Sequence, residues 1–163
     1  MSDILIVYYS RTGKTRLVAE KLAGVLGADL AEIRERKDRR GALGFISGGA
    51  DTMLKRDVAL EAAPDPGTHR VVLLGMPVWA FQPPAPVRAY LAQTDLTGKT
   101  VCAFCTSDGS SGKGVFKALA KTLPKTPAET FHWLKPRPDD AELDRALAEW
   151  AERIKALGAG SRG

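Results

Sequence analysis

The amino-acid sequence predicts a single α/β domain whose doubly wound parallel sheet has five strands in the order 2-1-3-4-5. Three segments, 4–9, 70–76 and 100–106, are apolar without polar alternation, a pattern typical of strands covered on both faces. Segments with helical periodicity alternate with them, which favours parallel strands joined by crossover helices. The length of 163 residues, of which 44% are hydrophobic, suits one domain with a substantial core.

The outer elements follow from weaker patterns. Residues 28–33 predict an edge strand, and 128–134 predict the fifth strand. A last helix is expected over 139–157, with a capping box from Asp139 to Glu142. The domain then spans residues 1–157, and the remainder of the chain forms a disordered tail over 158–163.

Two segments between the second and third strands allow more than one interpretation. The charge run 34–40 is either a solvated turn or an anion-recognition patch. The segment 41–57 carries four glycines, which weaken a helix. It is therefore expected to be a poorly formed crossover helix, a flap or a dimer surface.

The composition limits the possible functions. A formal net charge of +5 favours acidic partners or anionic ligands, and no basic stripe interleaved with aromatic residues indicates nucleic-acid binding. The N-terminal residues show neither a signal segment nor a membrane span. We therefore expect a cytoplasmic protein that binds neither nucleic acid nor membrane.

The cysteine and histidine residues do not indicate a redox pair or a metal site. Cys102 and Cys105 form a C-x-x-C pattern, but on a strand they face opposite sides, with Cα atoms about 10 Å apart. We expect two buried thiols. His69 and His132 have no metal-ligand spacing, so no metal is predicted.

The strongest functional signal is the junction between the first strand and the first helix. Unpaired N–H groups at a helix start attract anions, hydroxyl side chains add donors, and glycine lets the backbone approach closely. These features point to a phosphate monoester, with a helix cap formed by Ser10 or Thr12 as the alternative. The candidate phosphate-binding residues are Ser10, Arg11, Thr12, Gly13, Lys14 and Thr15.

Three other anion sites are excluded. A Walker loop needs a glycine where Tyr8 stands. A cysteine phosphatase needs a nucleophilic cysteine in the first loop, but the first cysteine of the chain is Cys102. A dinucleotide fingerprint needs three glycines after the strand, where this chain has one.

Two further loops are expected at the same edge of the sheet, where the strand order reverses. In the second loop, 77–83, Trp79 is either a partly exposed platform for a flat ring or a core side chain. The third loop, 106–112, consists mainly of small residues and supplies backbone N–H donors. The candidate ring-binding residues are Pro77, Val78, Trp79, Ala80 and Phe81 in the second loop and Thr106, Ser107, Asp108, Gly109, Ser110 and Gly112 in the third.

With these motifs, the chain resembles the flavodoxin family along almost its whole length. The first loop, Ser-Arg-Thr-Gly-Lys-Thr at 10–15, matches the family's phosphate loop, and Pro-Val-Trp at 77–79 resembles its flavin loop. The resemblance implies noncovalently bound FMN. The first loop would take the ribityl phosphate, and the other two would flank the isoalloxazine.

The resemblance leaves three functions open. Electron-carrier flavodoxins are typically acidic and often place a tyrosine in the third loop, whereas this chain is basic and residues 106–114 contain no aromatic. We favour a carrier, acting as a monomer or homodimer with an acidic redox partner protein, because we expect no second domain for a nicotinamide dinucleotide and find no general acid or base in the loops. The alternatives are an FMN-dependent NAD(P)H:quinone-type reductase and a flavin-free binding protein.

Overall fold

The computed structural model describes residues 2–36 and 59–160. Its strands are β1 (Ile4–Tyr8), β2 (Asp29–Glu32), β3 (Arg34–Glu35), β4 (Leu60–Ala62), β5 (Val71–Pro77), β6 (Thr100–Ser107) and β7 (Thr130–Leu134). Its helices are α1 (Lys14–Leu26), α2 (Ala85–Gln93), α3 (Lys113–Thr122) and α4 (Ala141–Gly160).

Five of the strands form the parallel sheet that was predicted. Their order is β2-β1-β5-β6-β7, which is 2-1-3-4-5 when the strands of this sheet alone are counted along the chain. The chain order reverses between β1 and β5. Tyr8 pairs with Gly75, and Pro77 pairs with Thr106, so the first, second and third loops leave the same edge at neighbouring positions.

Apolar side chains cover both faces of the sheet because the central strands carry no polar alternation. On one face, Leu74 and Cys105 belong to a cluster with Val87 of α2 and residues of α3. On the other face, Cys102 belongs to a cluster with Trp150 of α4 and residues of α1. The site loops therefore extend from a sheet held between two helical layers.

The two cysteines behave as predicted. They are free and buried, and they lie on opposite faces of β6. Burial raises the pKa of Cys102 to about 11 and that of Cys105 to about 12. Both thiols are therefore protonated at neutral pH and serve as small core side chains.

The charge run differs from its predicted form. Arg34–Glu35 pairs with Leu60–Ala62 in a small antiparallel sheet, so its first residues are not a solvated turn. A strand of two charged residues has no periodicity that could reveal it. The rest of the charge run, 37–40, the whole segment 41–57 and the end of the predicted tail, 161–163, lie outside the described residues.

The last helix also differs at both ends. Asp140, not Asp139, caps it, because Oδ1 of Asp140 accepts the N–H of Leu143 at 3.0 Å. This bond is the first cause of a lowered Asp140 pKa. Helix α4 then continues to Gly160, three residues beyond the predicted end.

Within residues 2–36 and 59–160, each helix is too short or too polar to cross a membrane. The same residues contain no group of three or more His, Cys, Asp or Glu side chains that could hold a metal ion.

Candidate functional site

The first loop turns directly from β1 into α1. Gly13 precedes the helix at φ 93°, a left-handed conformation that glycine adopts without steric penalty. The Oγ of Ser10 accepts the N–H groups of Gly13 at 3.1 Å and Arg16 at 3.3 Å. Ser10 therefore accepts two of the N–H groups at the helix start, as the capping interpretation predicts.

Other donors remain at this helix start. The N–H groups of Lys14 and Thr15 have no hydrogen-bond acceptor in the described part of the chain, and the side chain of Thr12 in the same loop is exposed. First-turn amides at the positive end of the helix dipole favour an anion. The loop can therefore cap its helix and still bind a phosphate through its backbone.

The Arg16 guanidinium is bonded to other side chains and does not take part in the anion site. It donates to Glu32 at 2.6 Å and to the Tyr8 hydroxyl at 3.2 Å. Burial is the first cause that raises the pKa of Tyr8, so its hydroxyl stays protonated at neutral pH. Arg16 thus braces β1 against β2 behind the first loop.

Two side-chain contacts join the first loop to the third. The buried hydroxyls of Thr15 and Thr106 lie 2.8 Å apart. At the surface, Nζ of Lys14 lies 2.5 Å from Oδ1 of Asp108. The Thr15 hydroxyl is therefore already bonded inside the protein, while its N–H still faces the helix start.

The second loop contains a strained tight turn. The N–H of Trp79 donates to the oxygen of Gln82 at 3.2 Å, and the N–H of Gln82 donates to the oxygen of Trp79 at 2.9 Å. Ala80 and Phe81 have φ values of 48° and 62°, the positive pair of a type I′ turn. Neither is glycine, and a left-handed conformation costs such residues about 1–2 kcal/mol. Strain of this kind is concentrated at functional sites.

The two aromatic residues of this turn differ in exposure. Trp79 is only 3% exposed and makes an edge contact with Tyr9, at a centroid distance of 5.4 Å. The expectation of a partly exposed Trp79 is therefore wrong. Phe81 is 65% exposed at the carboxyl edge of the sheet. Its position in the turn aims it away from the core, a feature that residue type alone does not reveal.

The third loop begins at Ser107 and ends where α3 begins. The Val78 N–H donates to the Thr106 oxygen at 3.0 Å, which joins the second loop to the third. The Oγ of Ser107 lies 2.5 Å from the Ser110 oxygen and 2.8 Å from Nε2 of His132. Sequence reasoning gave His132 no role, because the register that places β7 beside β6 is not visible in the sequence.

A groove of about 680 Å³ adjoins this edge beyond β7. Sequence reasoning did not find it, since its walls combine a strand, a loop and a helix start. Its lining residues are His132, Trp133, Leu134, Lys135, Arg137, Asp139, Asp140, Ala141 and Glu142. Basic and acidic side chains of the groove both lie near Leu134, which is 51% exposed.

Basic side chains stand near the exposed apolar ones. Lys113 begins α3, and Lys135 and Arg137 follow β7. None of the three forms an ion pair within the described ranges of the chain. Phe81 and Leu134 therefore lie at an edge with three cations that form no ion pair in the described ranges, beside the acidic side chains of the groove.

The flavodoxin family profile matches residues 49–154, more than half of the chain. The chain belongs to the flavodoxin family. Among curated proteins, no significant match to this flavodoxin-family sequence is found.

Solved structures share the fold of this flavodoxin-family chain. A protein from Bacteroides eggerthii, provisionally described as a flavoprotein, is 30% identical, with a TM-score of 0.76 over 93% of this chain and 97% of that one. A flavoprotein from Lactobacillus acidophilus, solved in complex with FMN, is 23% identical, with a TM-score of 0.65 over 87% of this chain and 96% of that one. A flavodoxin from the domain Archaea is 15% identical, with a TM-score of 0.53 over 93% and 99% of the two chains.

Proposed function

We propose that this flavodoxin-family protein binds FMN noncovalently and transfers electrons to or from a protein partner. The observation that carries the proposal is the start of α1, where the N–H groups of Lys14 and Thr15 remain available to an anion. Family membership supports FMN as the cofactor, as does the structural neighbour that was crystallised with it.

The three loops fit the parts of FMN. The first loop offers backbone donors and the Thr12 hydroxyl to the phosphate. Arg11 and Lys14 add positive charge beside it, with Nζ of Lys14 2.5 Å from Oδ1 of Asp108. The second and third loops flank the ring, with Phe81 as the exposed aromatic side chain. When bound, FMN supplies the redox chemistry. The chain's own residues bind its phosphate, orient its ring and exclude water from part of it.

The charge distribution supports an acidic partner. Lys113, Lys135 and Arg137 are cations without an ion pair among the residues described, and Phe81 and Leu134 offer apolar contact at the same edge. Complementary charge speeds encounter and fixes orientation. A cytoplasmic location and a monomeric or homodimeric state belong to the same proposal.

A reductase is the second candidate, and the composition of the third loop favours it. Residues 106–114 contain no aromatic, so one ring face lacks a stacking partner from this loop and stays open to a flat substrate. An FMN-dependent NAD(P)H:quinone-type reductase would use that face. Rapid flavin reduction by NADPH or NADH alone, followed by turnover on a quinone, would favour the reductase over the carrier.

Flavin binding is tested directly on the purified protein. We expect a flavin visible spectrum, and after the flavin is removed we expect FMN to bind more tightly than riboflavin, which lacks the phosphate. Charge-assisted hydrogen bonds to the phosphate contribute about 1.5–3 kcal/mol each. Equal affinities would show that the first loop is not a phosphate site, and the absence of flavin binding would favour the flavin-free alternative.

A further inference from the structure

A hydrogen-bond relay of three residues links β7 to the third loop. The Oγ of Ser107 lies 2.8 Å from Nε2 of His132 and 2.5 Å from the carbonyl oxygen of Ser110. Ser107 is the last residue of β6, and His132 is the middle residue of β7. The relay therefore spans from the sheet to the centre of the loop.

The chemistry of the three groups fixes the direction of the relay. The Ser110 carbonyl can only accept, so the single hydroxyl proton of Ser107 is donated to it. The Ser107 oxygen then accepts the Nε2–H of His132. Burial lowers the pKa of His132, which favours the neutral ring. The bond to Ser107 then places the single ring proton on Nε2.

His132 also supports the other end of the loop. An ideal Cβ built on Gly112 would lie 3.4 Å from Cβ of His132 and 2.6 Å from Sγ of Cys105. The loop backbone thus packs onto the sheet at Gly112 and is bonded to it at Ser107. Between these two points, the Ser110 carbonyl is fixed by the relay.

We propose that His132 is a positioning residue, which acts through Ser107 to hold the third loop in the shape that receives the flavin ring. The inference rests on the proposed function, because it takes the third loop to flank the isoalloxazine. Without the His132 side chain, Ser107 keeps its bond to the Ser110 carbonyl but loses its bond to β7, and without the Ser107 hydroxyl the carbonyl loses its donor. In either case the loop must be ordered when the ring binds. Ordering a loop on binding lowers affinity.

Replacing His132 by glutamine or by asparagine distinguishes the loss of the hydrogen bond to Ser107 from the loss of the imidazole ring. The amide nitrogen of glutamine reaches the position of Nε2, whereas asparagine is one methylene shorter. We expect His132→Gln to bind FMN and riboflavin as the unmodified chain does. We expect His132→Asn and Ser107→Ala to bind both flavins about three- to tenfold more weakly, as the loss of one hydrogen bond predicts. Thr130→Val changes an exposed position of β7 outside the three loops and is the matched control without effect.

Amide hydrogen exchange in the flavin-free protein tests the relay independently of the ligand. Residues 108–112 are expected to exchange faster in His132→Asn and Ser107→Ala than in His132→Gln and Thr130→Val. The amides of β1 should be protected equally in all of them, which shows that each variant is folded.

The outcomes separate the two proposals. If the unmodified chain binds no flavin, the proposed function fails, while the exchange experiment still tests the relay. If the unmodified chain binds FMN and His132→Asn matches it in affinity and exchange, His132 is not a positioning residue. If His132→Gln is as weak as His132→Asn, the imidazole acts by packing and the relay is wrong.

Discussion

The carbonyl oxygen of Phe81 lies against Gly114 in the first turn of α3. An ideal Cβ built on Gly114 would be 2.3 Å from that oxygen, far inside van der Waals contact. The strained turn of the second loop therefore rests on the helix that follows the third loop. Only glycine permits this approach, and it couples the two loops that we assign to the flavin ring.

Replacing Gly114 by alanine should displace the second loop. The new methyl group meets backbone rather than a flexible side chain, so the turn or the helix must shift. Overpacking of this kind costs about 1–3 kcal/mol. We expect weaker riboflavin binding and a lower free energy of unfolding, measured by flavin titration and by urea denaturation.

Gly24→Ala is the matched control for that substitution. Gly24 lies inside α1, and a Cβ there would have no neighbouring atom within 4 Å. Alanine should therefore stabilise the protein by about 0.5–1 kcal/mol through helix propensity. Stabilisation by Gly114→Ala, as expected for Gly24→Ala, would contradict the close contact at Gly114.

A second prediction concerns the stability of the tight turn in the second loop, where Ala80 has a φ of 48°. Ala80→Gly relieves the left-handed strain and should stabilise the flavin-free protein by up to about 1 kcal/mol. Ala89→Gly, in the interior of α2, should instead destabilise it by about 1 kcal/mol. Urea unfolding of the two variants checks these opposite signs, and destabilisation by Ala80→Gly would show that the turn is not strained.

The sheet order was predictable because its signal is local. Unbroken apolar runs identify the buried strands, and the alternation with helices then restricts their order. The same argument placed Cys102 and Cys105 on opposite faces of one strand, and the structure confirms it. The sequence therefore predicts that the loops following these strands lie at one edge of the sheet.

The remaining features depend on register and on turn geometry, which residue types do not encode. Trp79 and Phe81 are two aromatics in one loop, and the turn between them decides which one is buried. His132 meets Ser107 because β7 pairs in parallel with β6, and a parallel register has no hairpin turn to mark it. Arg34 and Glu35 pair with a strand too short to show a period.

A third prediction separates the two threonines of the first loop. Thr12→Val removes an exposed donor and should weaken FMN binding while leaving stability and riboflavin binding unchanged. Thr15→Val also leaves the buried Thr106 hydroxyl without its partner, which costs about 1–3 kcal/mol of folding stability. The double variant Thr15→Val/Thr106→Val should recover most of that stability. Calorimetric titration and urea unfolding measure both effects, and an unchanged stability in Thr15→Val would contradict the buried pair.

A fourth prediction assigns the two aromatics of the second loop to different roles. Phe81→Ala should weaken the binding of FMN and of riboflavin about two- to tenfold, because aromatic stacking is worth about 0.5–1.5 kcal/mol. It should change stability little, since the ring is exposed. Trp79→Ala should destabilise the fold by about 3–5 kcal/mol, the usual cost of removing a large buried aromatic. If titration shows that Phe81→Ala leaves the affinity for both flavins unchanged, Phe81 does not contact the ring.

The last prediction concerns the positive edge around the flavin site. Oxidation of the photoreduced, FMN-loaded protein by ferricyanide, an anion, should slow as salt is added, whereas oxidation by a hexaammine ruthenium cation should accelerate. Lys113→Glu/Lys135→Glu should reverse or abolish both trends. Lys121→Glu/Lys125→Glu lowers the net charge equally, but it changes the end of α3 and the segment before β7, at the opposite edge of the sheet. At an ionic strength of 0.1 M, charges beyond about 10 Å are screened, so this control should keep the original salt dependence. If both double variants behave alike, the rates follow total charge alone, and the case for an acidic partner docking at this edge is lost.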